Sequence, residues 1–497
     1  MPSSFLRTSL IPAALAALAA IALAAHAALA APATPAAPTL PPERRSTLDD
    51  QQSVAVTIYN EQLALIKDQR RVTLDAGTSR LALRDVSAQM QPQTALVRSL
   101  DAPDAFQVLE QNFDFDLLSP AKLLEKSVGR SVRVIRWNPA TNAETVETAQ
   151  VLAAQGGLVL QIGDRIETSV PGRIVFDSVP PNLRDRPTLV TELHTAKPGP
   201  RAVELSYLSG GLSWQADYVA ELSADNRALD LNGWVTLTNR SGTTYPNARL
   251  QLVAGDVNRV REEMSLLKAR GNVAAADMAA AAPRMSQQAL FEYHLYTLER
   301  PTTIADNQTK QVALLHAAGT PVTKELVLAG EPHYYGSAAG EIGRKLKVGV
   351  FVEFDNREAA GLGLPLPKGV VRVYQRDAQG RAQFIGEDRI DHTPKNEKVR
   401  LRLGNAFDVT ADKKQTDFRV RETPGKRDAH ESAYEIVLRN AKAEAVIVTV
   451  REPVPGDWTM LQESQRHTKV AAGTAAWQVS VPAGGSRTLT YRVLTRY

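Results

Sequence analysis

Residues 203–221 read VELSYLSGGLSWQADYVAE, and this stretch decides the fold class. Its first residues alternate between apolar and polar side chains, with the period of two that is typical of a half-buried strand. The apolar side chains of that run are Val203, Leu205 and Tyr207. Gly210 and Gly211 allow a sharp turn or bulge, and Trp214 and Tyr218 are large anchors for a sheet face. The stretch therefore predicts β-structure organised around a glycine turn.

The same period of two recurs along the rest of the chain. Further alternating runs lie at residues 54–59, 81–84, 234–238, 446–450 and 488–493. Short strands separated by turn clusters, such as residues 239–242, indicate sandwiches or barrels. Because 497 residues are too many for one ordinary core, several domains are expected. We predict a mainly β fold built of multi-domain antiparallel β-sandwich modules, Ig-like in kind, with few helices.

One short helix is expected ahead of a small barrel. Ser119 is a suitable N-cap because its hydroxyl can accept a hydrogen bond from a free amide, and Pro120 fits the first helical position. Gly129 is expected to end the helix. About five short strands follow, up to Val179, and helix and strands together predict an SH3-like or Sm-like barrel module.

The N-terminal residues predict export. A positive charge precedes an Ala/Leu-rich apolar run at residues 10–29, and Ala28, Leu29 and Ala30 form a small-x-small cleavage site. We predict a signal peptide cleaved after Ala30, with residues 25–27 as an alternative cleavage site, and hence a periplasmic or secreted protein. An uncleaved membrane anchor is the alternative. No later run approaches the length of a spanning helix, so no transmembrane helix is expected in the mature chain.

These patterns divide the chain into seven segments. The predicted boundaries are a signal peptide at 1–30, a Pro/Ala linker at 31–50, an N-terminal β module at 51–115, the small barrel module at 119–182, the first part of a β-sandwich at 185–260, an Ala-rich mobile insert at 261–289 and C-terminal β-sandwich modules at 290–497. Residues 410–416 are polar and are expected to form a loop in the last of these segments.

Charge and composition argue against several functions. The chain has 58 Lys and Arg residues against 54 Asp and Glu residues, a net charge of +4 that is spread over the whole sequence. Nucleic-acid binding is not expected, because such proteins concentrate basic residues on one face. The chain has no cysteine, which excludes disulfides, thiolate metal sites and cysteine nucleophiles. No nucleotide-binding, zinc-protease or serine-hydrolase motif is found, so no catalytic, cofactor or metal residue is assigned.

Histidines and acidic residues leave one enzymatic alternative open. Glu192 and His194 lie two residues apart on a predicted strand, and Asp391 and His392 share a charged segment. Side chains of this kind ligate zinc when a fold brings them together. His294 is a fifth residue of this kind. A periplasmic metal-dependent hydrolase would require at least three of the five residues to converge. Polar side chains on solvated strand faces explain the same pattern without a metal.

Four runs of the chain resemble one bacterial family. Residues 206–221 carry SYLSGGLSWQADYVAE, and residues 291–315 carry FEYHLYTLERPTTIADNQTKQVALL. Residues 362–409 include LGLPLPKGVVRVYQRD and FIGEDRIDHTPKNEKVRLRLGNAFDV, and residues 451–458 read REPVPGDW. Together they resemble the domain-of-unknown-function family numbered 4139, which is shared with proteins similar to mucoidy inhibitor A, over roughly residues 185–497. The resemblance implies an exported, β-rich protein without an established activity, and it supplies no catalytic residues. Unlike the mucoidy-inhibitor-like members, this chain has no coiled-coil heptad run.

Three segments are candidates for a binding surface. Each places aromatic or imidazole side chains near charged or polar residues, a combination that suits glycan or protein contacts when it is exposed. The candidate residues are Tyr293, His294 and Tyr296, then His333, Tyr334 and Tyr335, and finally Asp388, Asp391 and His392. The last three are expected in a long charged loop at residues 388–398.

The leading functional hypothesis is a non-enzymatic envelope protein that binds an unidentified envelope protein or glycan, or supports the envelope. The alternative is the metal-dependent hydrolase described above. An outer-membrane β-barrel is a third reading, because the chain ends in Tyr497 after an alternating strand. The 6% aromatic content argues against the aromatic girdles of such barrels.

Overall fold

A computed structural model describes residues 41–60, 62–170, 172–180, 183–255, 285–421 and 429–496. These residues are mainly β-strand, which confirms the predicted fold class of multi-domain β-sandwiches. The predicted signal peptide, the first half of the predicted linker and most of the predicted Ala-rich insert lie outside the described residues. Within the described ranges no helix is both long and apolar enough to cross a membrane.

The first half of the chain contains strands β1 to β16. Their bounds are β1 Glu43–Ser46, β2 Gln51–Tyr59, β3 Leu63–Leu74, β4 Gly77–Arg84, β5 Leu96–Ser99, β6 Phe106–Asp114, β7 Ser131–Asn138, β8 Ala143–Ala153, β9 Val159–Ile162, β10 Arg165–Glu167, β11 Arg173–Val175, β12 Thr188–Thr195, β13 Gly199–Ser209, β14 Leu212–Leu222, β15 Ala228–Asn239 and β16 Tyr245–Ala254.

The second half contains strands β17 to β30. Their bounds are β17 Met285–Leu290, β18 Tyr293–Leu298, β19 Thr302–Ile304, β20 Gln308–Ala329, β21 Glu341–Asp355, β22 Gly369–Arg376, β23 Ala382–Ile390, β24 Lys398–Arg421, β25 Ala429–Asn440, β26 Val446–Pro453, β27 Asp457–Glu463, β28 Thr468–Ala471, β29 Thr474–Val481 and β30 Ser486–Arg496. The α-helix Pro120–Lys126 and the short 3-10 helices Leu48–Asp50, Pro92–Thr94, Pro332–Tyr335 and Glu358–Ala360 complete the described elements.

Four sheets organise the described strands. A four-stranded sheet has the order β1-β4-β12-β6, and a five-stranded sheet has the order β10-β9-β8-β7-β11. An eight-stranded sheet follows the order β17-β18-β16-β2-β3-β13-β5, with β19 beside β16. A 13-stranded sheet follows β23-β22-β14-β15-β20-β21-β24-β25-β30-β27, and β26, β28 and β29 attach to it through β20. Most pairs are antiparallel, as predicted, but β1 with β4, β2 with β16, β14 with β22 and β20 with β26 are parallel.

The stretch that decides the fold class joins two of these sheets. β13 lies in the eight-stranded sheet and β14 lies in the 13-stranded sheet, so the chain changes sheets at the predicted glycine turn. Gly211 has a φ of +78°, and a Cβ there would lie 2.8 Å from the Arg240 carbonyl oxygen. Trp214 and Tyr218 are buried in the core between the sheets, which confirms that they anchor a sheet face.

The predicted helix start and the strands after it are found, but the helix ends at Lys126, before Gly129. Ser119 caps the helix Pro120–Lys126 by accepting a hydrogen bond from the Lys122 amide at 3.2 Å. All pairings in the following sheet are antiparallel, and it has a small core of its own around Val134, Val151 and Leu160. Its edge strands β10 and β11 are not paired with each other within the described residues, so the predicted barrel is an open sheet in this structure.

Two larger cores share three long strands. The first core receives Leu314 of β20, Phe354 of β21 and Leu401 of β24. The second core receives Leu328, Val348 and Val409 from the same three strands. These strands have 22, 15 and 24 residues, respectively. Each of them therefore runs from one sandwich into the other without an intervening loop.

Three segments differ from the sequence-based expectation. Residues 43–50, assigned by composition to a linker, form β1 and a 3-10 turn with a capping box at Thr47. Residues 285–289, assigned to the insert, belong to β17. Residues 410–416 lie within β24 rather than in a loop, because Lys413 and Gln415 bury their polar groups against partners in the second core.

Candidate functional site

The first candidate segment lies on β18, between β16 and β17. Tyr296 is buried rather than exposed, and its hydroxyl donates a hydrogen bond to the Pro365 carbonyl at 2.9 Å. This burial raises the pKa of Tyr296. His294 is half-buried, and its Nδ1 lies 2.8 Å from Nε2 of Gln287 on the neighbouring strand. Tyr293, also half-buried, packs so closely over Gly255 that a Cβ there would lie 2.4 Å from the tyrosine ring.

The segment at residues 388–398 is a shorter loop than predicted. Asp388 lies on β23, where one carboxylate oxygen accepts a hydrogen bond from the Arg402 amide at 2.7 Å. Asp391 and His392 follow the strand, and His392 Nδ1 accepts a hydrogen bond from the Lys368 amide at 3.2 Å. The other imidazole nitrogen, Nε2, lies 3.5 Å from Nδ2 of Asn60.

Strand register brings His294 and His392 to the same end of the first sandwich. Tyr59 of β2 pairs with Val253 of β16, and the next residue of β16, Ala254, pairs with His294 of β18. Asn60 follows Tyr59, so it lies two strands from His294, or about 10 Å at the usual strand spacing. Because Asn60 contacts His392, the two histidines border one surface.

Phe291 is the most exposed aromatic residue on this surface and was not singled out from the sequence. It occupies the turn between β17 and β18 with 86% of its surface exposed, and its ring centroid lies 6.1 Å from that of Tyr293. Its φ of 55° is in the left-handed region, which is strained for a bulky side chain. We call this surface the rim, defined by Asn60, Gln287, Phe291, Tyr293, His294, Lys368 and His392.

The third candidate segment lies elsewhere, on the 3-10 helix Pro332–Tyr335 beside the second core. His333 is exposed, and its ring lies 4.4 Å from the Tyr334 ring. Tyr335 is fully buried rather than exposed, and its hydroxyl donates to Glu452 at 2.8 Å and lies 2.9 Å from the Tyr491 hydroxyl. Burial raises the pKa of Tyr335 well above its ordinary value. Two of the nine predicted surface residues, Tyr296 and Tyr335, are therefore core residues.

Tyr335 belongs to a buried polar cluster that the sequence did not indicate. Lys413 Nζ lies 2.7 Å from both carboxylate oxygens of Glu452, and the two side chains are 2% and 0% exposed. The Lys413 ammonium also lies 4.6 Å from the centre of the Tyr334 ring. Burial lowers the pKa of Lys413, and the negative charge of Glu452 opposes this effect. Because both charged groups are enclosed, the cluster fastens β24, β26 and the 3-10 helix together and offers no contact to a solute.

A glycine makes room for this carboxylate. A Cβ at Gly330 would lie 2.2 Å from Oε2 of Glu452, closer than any real side chain tolerates. A sequence signal for the cluster therefore exists in Gly330 and in the polar residues of β24. It cannot be recognised without knowing that β20, β24 and β26 are neighbours.

The convergence that a metal-dependent hydrolase requires is not found. Glu192 and His194 lie on β12, where His194 is exposed beside Thr78, whereas His294 and the segment with Asp391 and His392 border the rim. Across the described ranges, no group of three or more His, Asp or Glu side chains is arranged to hold a metal ion. The hydrolase alternative is therefore not supported by the positions of its own candidate residues.

Fold and surface together define a protein of stacked β-sandwiches with an aromatic and polar rim. The model of the DUF4139 family, described as a domain of unknown function, matches residues 203–497. This match covers more than half of the chain, so the protein belongs to the DUF4139 family. A search of curated proteins finds no match. The family region begins at β13 and includes β14 to β30, and hence every rim residue except Asn60.

Proposed function

We propose that this protein is exported to the cell envelope and acts there as a non-enzymatic binding protein, with the rim as its contact surface. Export is supported by the apolar run and the cleavage site at residues 10–30. A binding role is supported by a rim that combines aromatic, imidazole and amide side chains at one end of the first sandwich. An envelope glycan is the partner that these groups fit best.

Phe291 is the observation that carries the proposal. A folded chain gains nothing from placing a phenylalanine ring in solvent on a strained backbone, because the same two-residue turn is better formed by Gly, Asn or Asp. An exposed ring beside hydrogen-bonding side chains gives a sugar one apolar face and several polar partners. The polar side chains of the rim nearest to Phe291 along the chain are Gln287 and His294, which the paired strands β17 and β18 carry.

Co-sedimentation with purified peptidoglycan sacculi tests the glycan contact. We expect the mature protein to pellet with sacculi and Phe291→Ala to bind about three- to tenfold more weakly, the range expected for losing one aromatic contact. Phe407→Ala is the matched control, because Phe407 is 93% exposed but lies on β24, away from the rim. Equal loss in both variants, or no pelleting of the wild type, would contradict the proposal.

Export is tested separately in cell fractions. We expect the intact protein to appear in the periplasmic fraction or the medium with a mass that lacks residues 1–30. A version that starts after Ala30 should remain in the cytoplasm. If the wild-type protein keeps its full mass and stays in the cytoplasm, the export half of the proposal fails, whatever the sacculus result.

A further inference from the structure

A cavity of about 150 Å³ lies beside the four-stranded sheet. Its lining includes Arg45 of β1, Arg84 at the end of β4, Arg184 and Asp185, with Leu183 as an apolar wall. The volume is well above the roughly 10–15 Å³ that one water needs, so a group of several heavy atoms fits.

The three arginines are not equivalent. All three guanidinium nitrogens of Arg184 already donate hydrogen bonds. One bond goes to Asp114 at 2.9 Å, and two go to the oxygens of Glu43 at 2.8 and 2.9 Å. These hydrogen bonds from Arg184 lower the pKa of Glu43, so the network remains charged. Arg45 is exposed, and its nearest ion-pair contact is a distance of 3.6 Å to Glu43. It is therefore able to turn toward the cavity.

The backbone of Arg84 is held in place, but its side chain still has a hydrogen-bond donor to offer. Its backbone is fixed by pairing with Thr188 on β12, and its carbonyl accepts a hydrogen bond from the buried Arg70 at 2.7 Å. Its side chain is 21% exposed and forms an ion pair with Asp185. The guanidinium Nε is nevertheless buried without a hydrogen-bond partner among the described residues. An unpaired buried donor of this kind costs free energy until an acceptor reaches it.

Asp185 is the group that an incoming anion would replace. It precedes β12 in a loop, and its side chain is 63% exposed, so it can rotate into solvent without disturbing the sheet. A carboxylate and a phosphate group each present two oxygens that an arginine fork can bind side by side. We propose that this cavity binds a phosphate group between Arg84 and Arg45, with Asp185 occupying part of the site until the ligand displaces it.

This site is independent of the rim. It is tested with two variants that should change the affinity for phosphate in opposite directions. Inorganic phosphate is titrated into the mature protein in low-salt chloride buffer and followed by calorimetry. Arg84→Gln should weaken binding at least about tenfold, because it removes a charge-assisted contact. Asp185→Asn should strengthen binding several-fold, because it removes the competing carboxylate. Arg173→Gln is the matched control: Arg173 pairs with Glu144 on the surface of the five-stranded sheet, and its loss should change nothing.

Two further arms identify the source of the phosphate. Vesicles of phosphatidic acid are compared with vesicles of phosphatidylcholine, and free phosphate is added as a competitor. Binding to phosphatidic acid that phosphate displaces assigns a lipid headgroup, whereas binding of free phosphate alone assigns a soluble ligand. If Arg84→Gln does not fold, Arg45→Gln replaces it, because Arg45 is exposed and should lose about threefold in affinity. Unchanged affinity in the arginine variant, weaker binding in Asp185→Asn, or no saturable binding in the millimolar range would overturn the proposal.

Discussion

Burying a lysine and a glutamate in a protein core costs free energy. Each charge loses its hydration, and their mutual attraction repays that loss only when the geometry is good and the remaining hydrogen bonds are made. Lys413 and Glu452 meet both conditions, since the carboxylate accepts from the ammonium and from the Tyr335 hydroxyl. We infer that the pair contributes more to specifying which strands and which 3-10 helix come together than to stability.

Breaking the pair on one side only should be severe. We expect Lys413→Met to lower the free energy of unfolding by about 3–5 kcal/mol, because it leaves the Glu452 carboxylate buried without its counterion. The double variant Lys413→Met with Glu452→Gln should recover more than half of that loss, because no buried charge remains and Gln still accepts from Tyr335. Denaturant unfolding of the wild type and both variants measures the difference. A double variant as unstable as the single one would show that the ammonium itself is needed.

Strands of the second sandwich are also tied together near its surface. Arg492 of β30 donates to Asp417 of β24 and to Glu431 of β25, both at 2.8 Å, so one guanidinium spans three adjacent strands. These hydrogen bonds from Arg492 lower the pKa of both carboxyl groups. The stability of the sheet should therefore depend on pH through two carboxyl groups on neighbouring strands, and not through one residue alone.

Acid should weaken this interaction. A carboxyl group whose pKa is lower in the folded than in the unfolded protein stabilises the fold fully above its unfolded pKa, and that stabilisation is lost as the pH falls through the folded pKa. For Glu431, whose ordinary pKa is 4.5, we expect the free energy of unfolding to decline from about pH 5 downward. Urea unfolding across a pH series should show a shallower decline in Glu431→Gln. Glu144→Gln is the control, and an equal change in both variants would refute the assignment.

Elements with strong local signals were predictable from the sequence, and elements held by distant partners were not. The alternation at residues 203–208, the glycine turn after it and the Ser119-Pro120 start of the helix are local patterns, and the structure confirms each of them. Residues 410–416 failed as a prediction because polar side chains usually mark a loop. In β24 the alternate side chains Lys413 and Gln415 face inward instead, where Glu452 and Tyr434 satisfy them.

The candidate surface was predictable only in part for the same reason. His294 and His392 were selected from sequence, but the link between their segments passes through Asn60, which is 332 residues from His392. No local pattern reports a contact of that separation. Tyr296 and Tyr335 resemble surface aromatics in sequence, and only the pairing of their strands and helix shows that both hydroxyl groups are bonded inside a core.

At the scale of the whole molecule, the two large cores are connected by shared strands. β20, β21 and β24 each contribute side chains to both cores, and β20 is paired with β21 and β21 with β24. If one sandwich unfolded, the parts of β20, β21 and β24 that lie in it would lose their partners. The rest of the same three strands would stay paired in the other sandwich. This arrangement favours cooperative loss of both cores.

Calorimetry tests that cooperativity. For a protein that lacks residues 117–183, we expect one heat-absorption peak whose calorimetric enthalpy equals the van't Hoff enthalpy, as in two-state unfolding. A short flexible linker would replace the removed helix and five-stranded sheet, since that sheet has its own small core and would add a transition. Two resolved peaks in the shortened protein, or a van't Hoff enthalpy well below the calorimetric one, would show that the sandwiches unfold separately despite their common strands.

The shared strands also determine how the molecule would respond to tension. Backbone hydrogen bonds in a ladder lie across the strand direction, and β20, β21 and β24 run along the line that connects the two sandwiches. A pull that tries to separate the sandwiches is therefore directed along the strands and loads many hydrogen bonds at once, instead of opening them one after another. Forced unfolding is limited by the rate of that first rupture. We therefore expect the three shared strands to resist separation of the two sandwiches under tension.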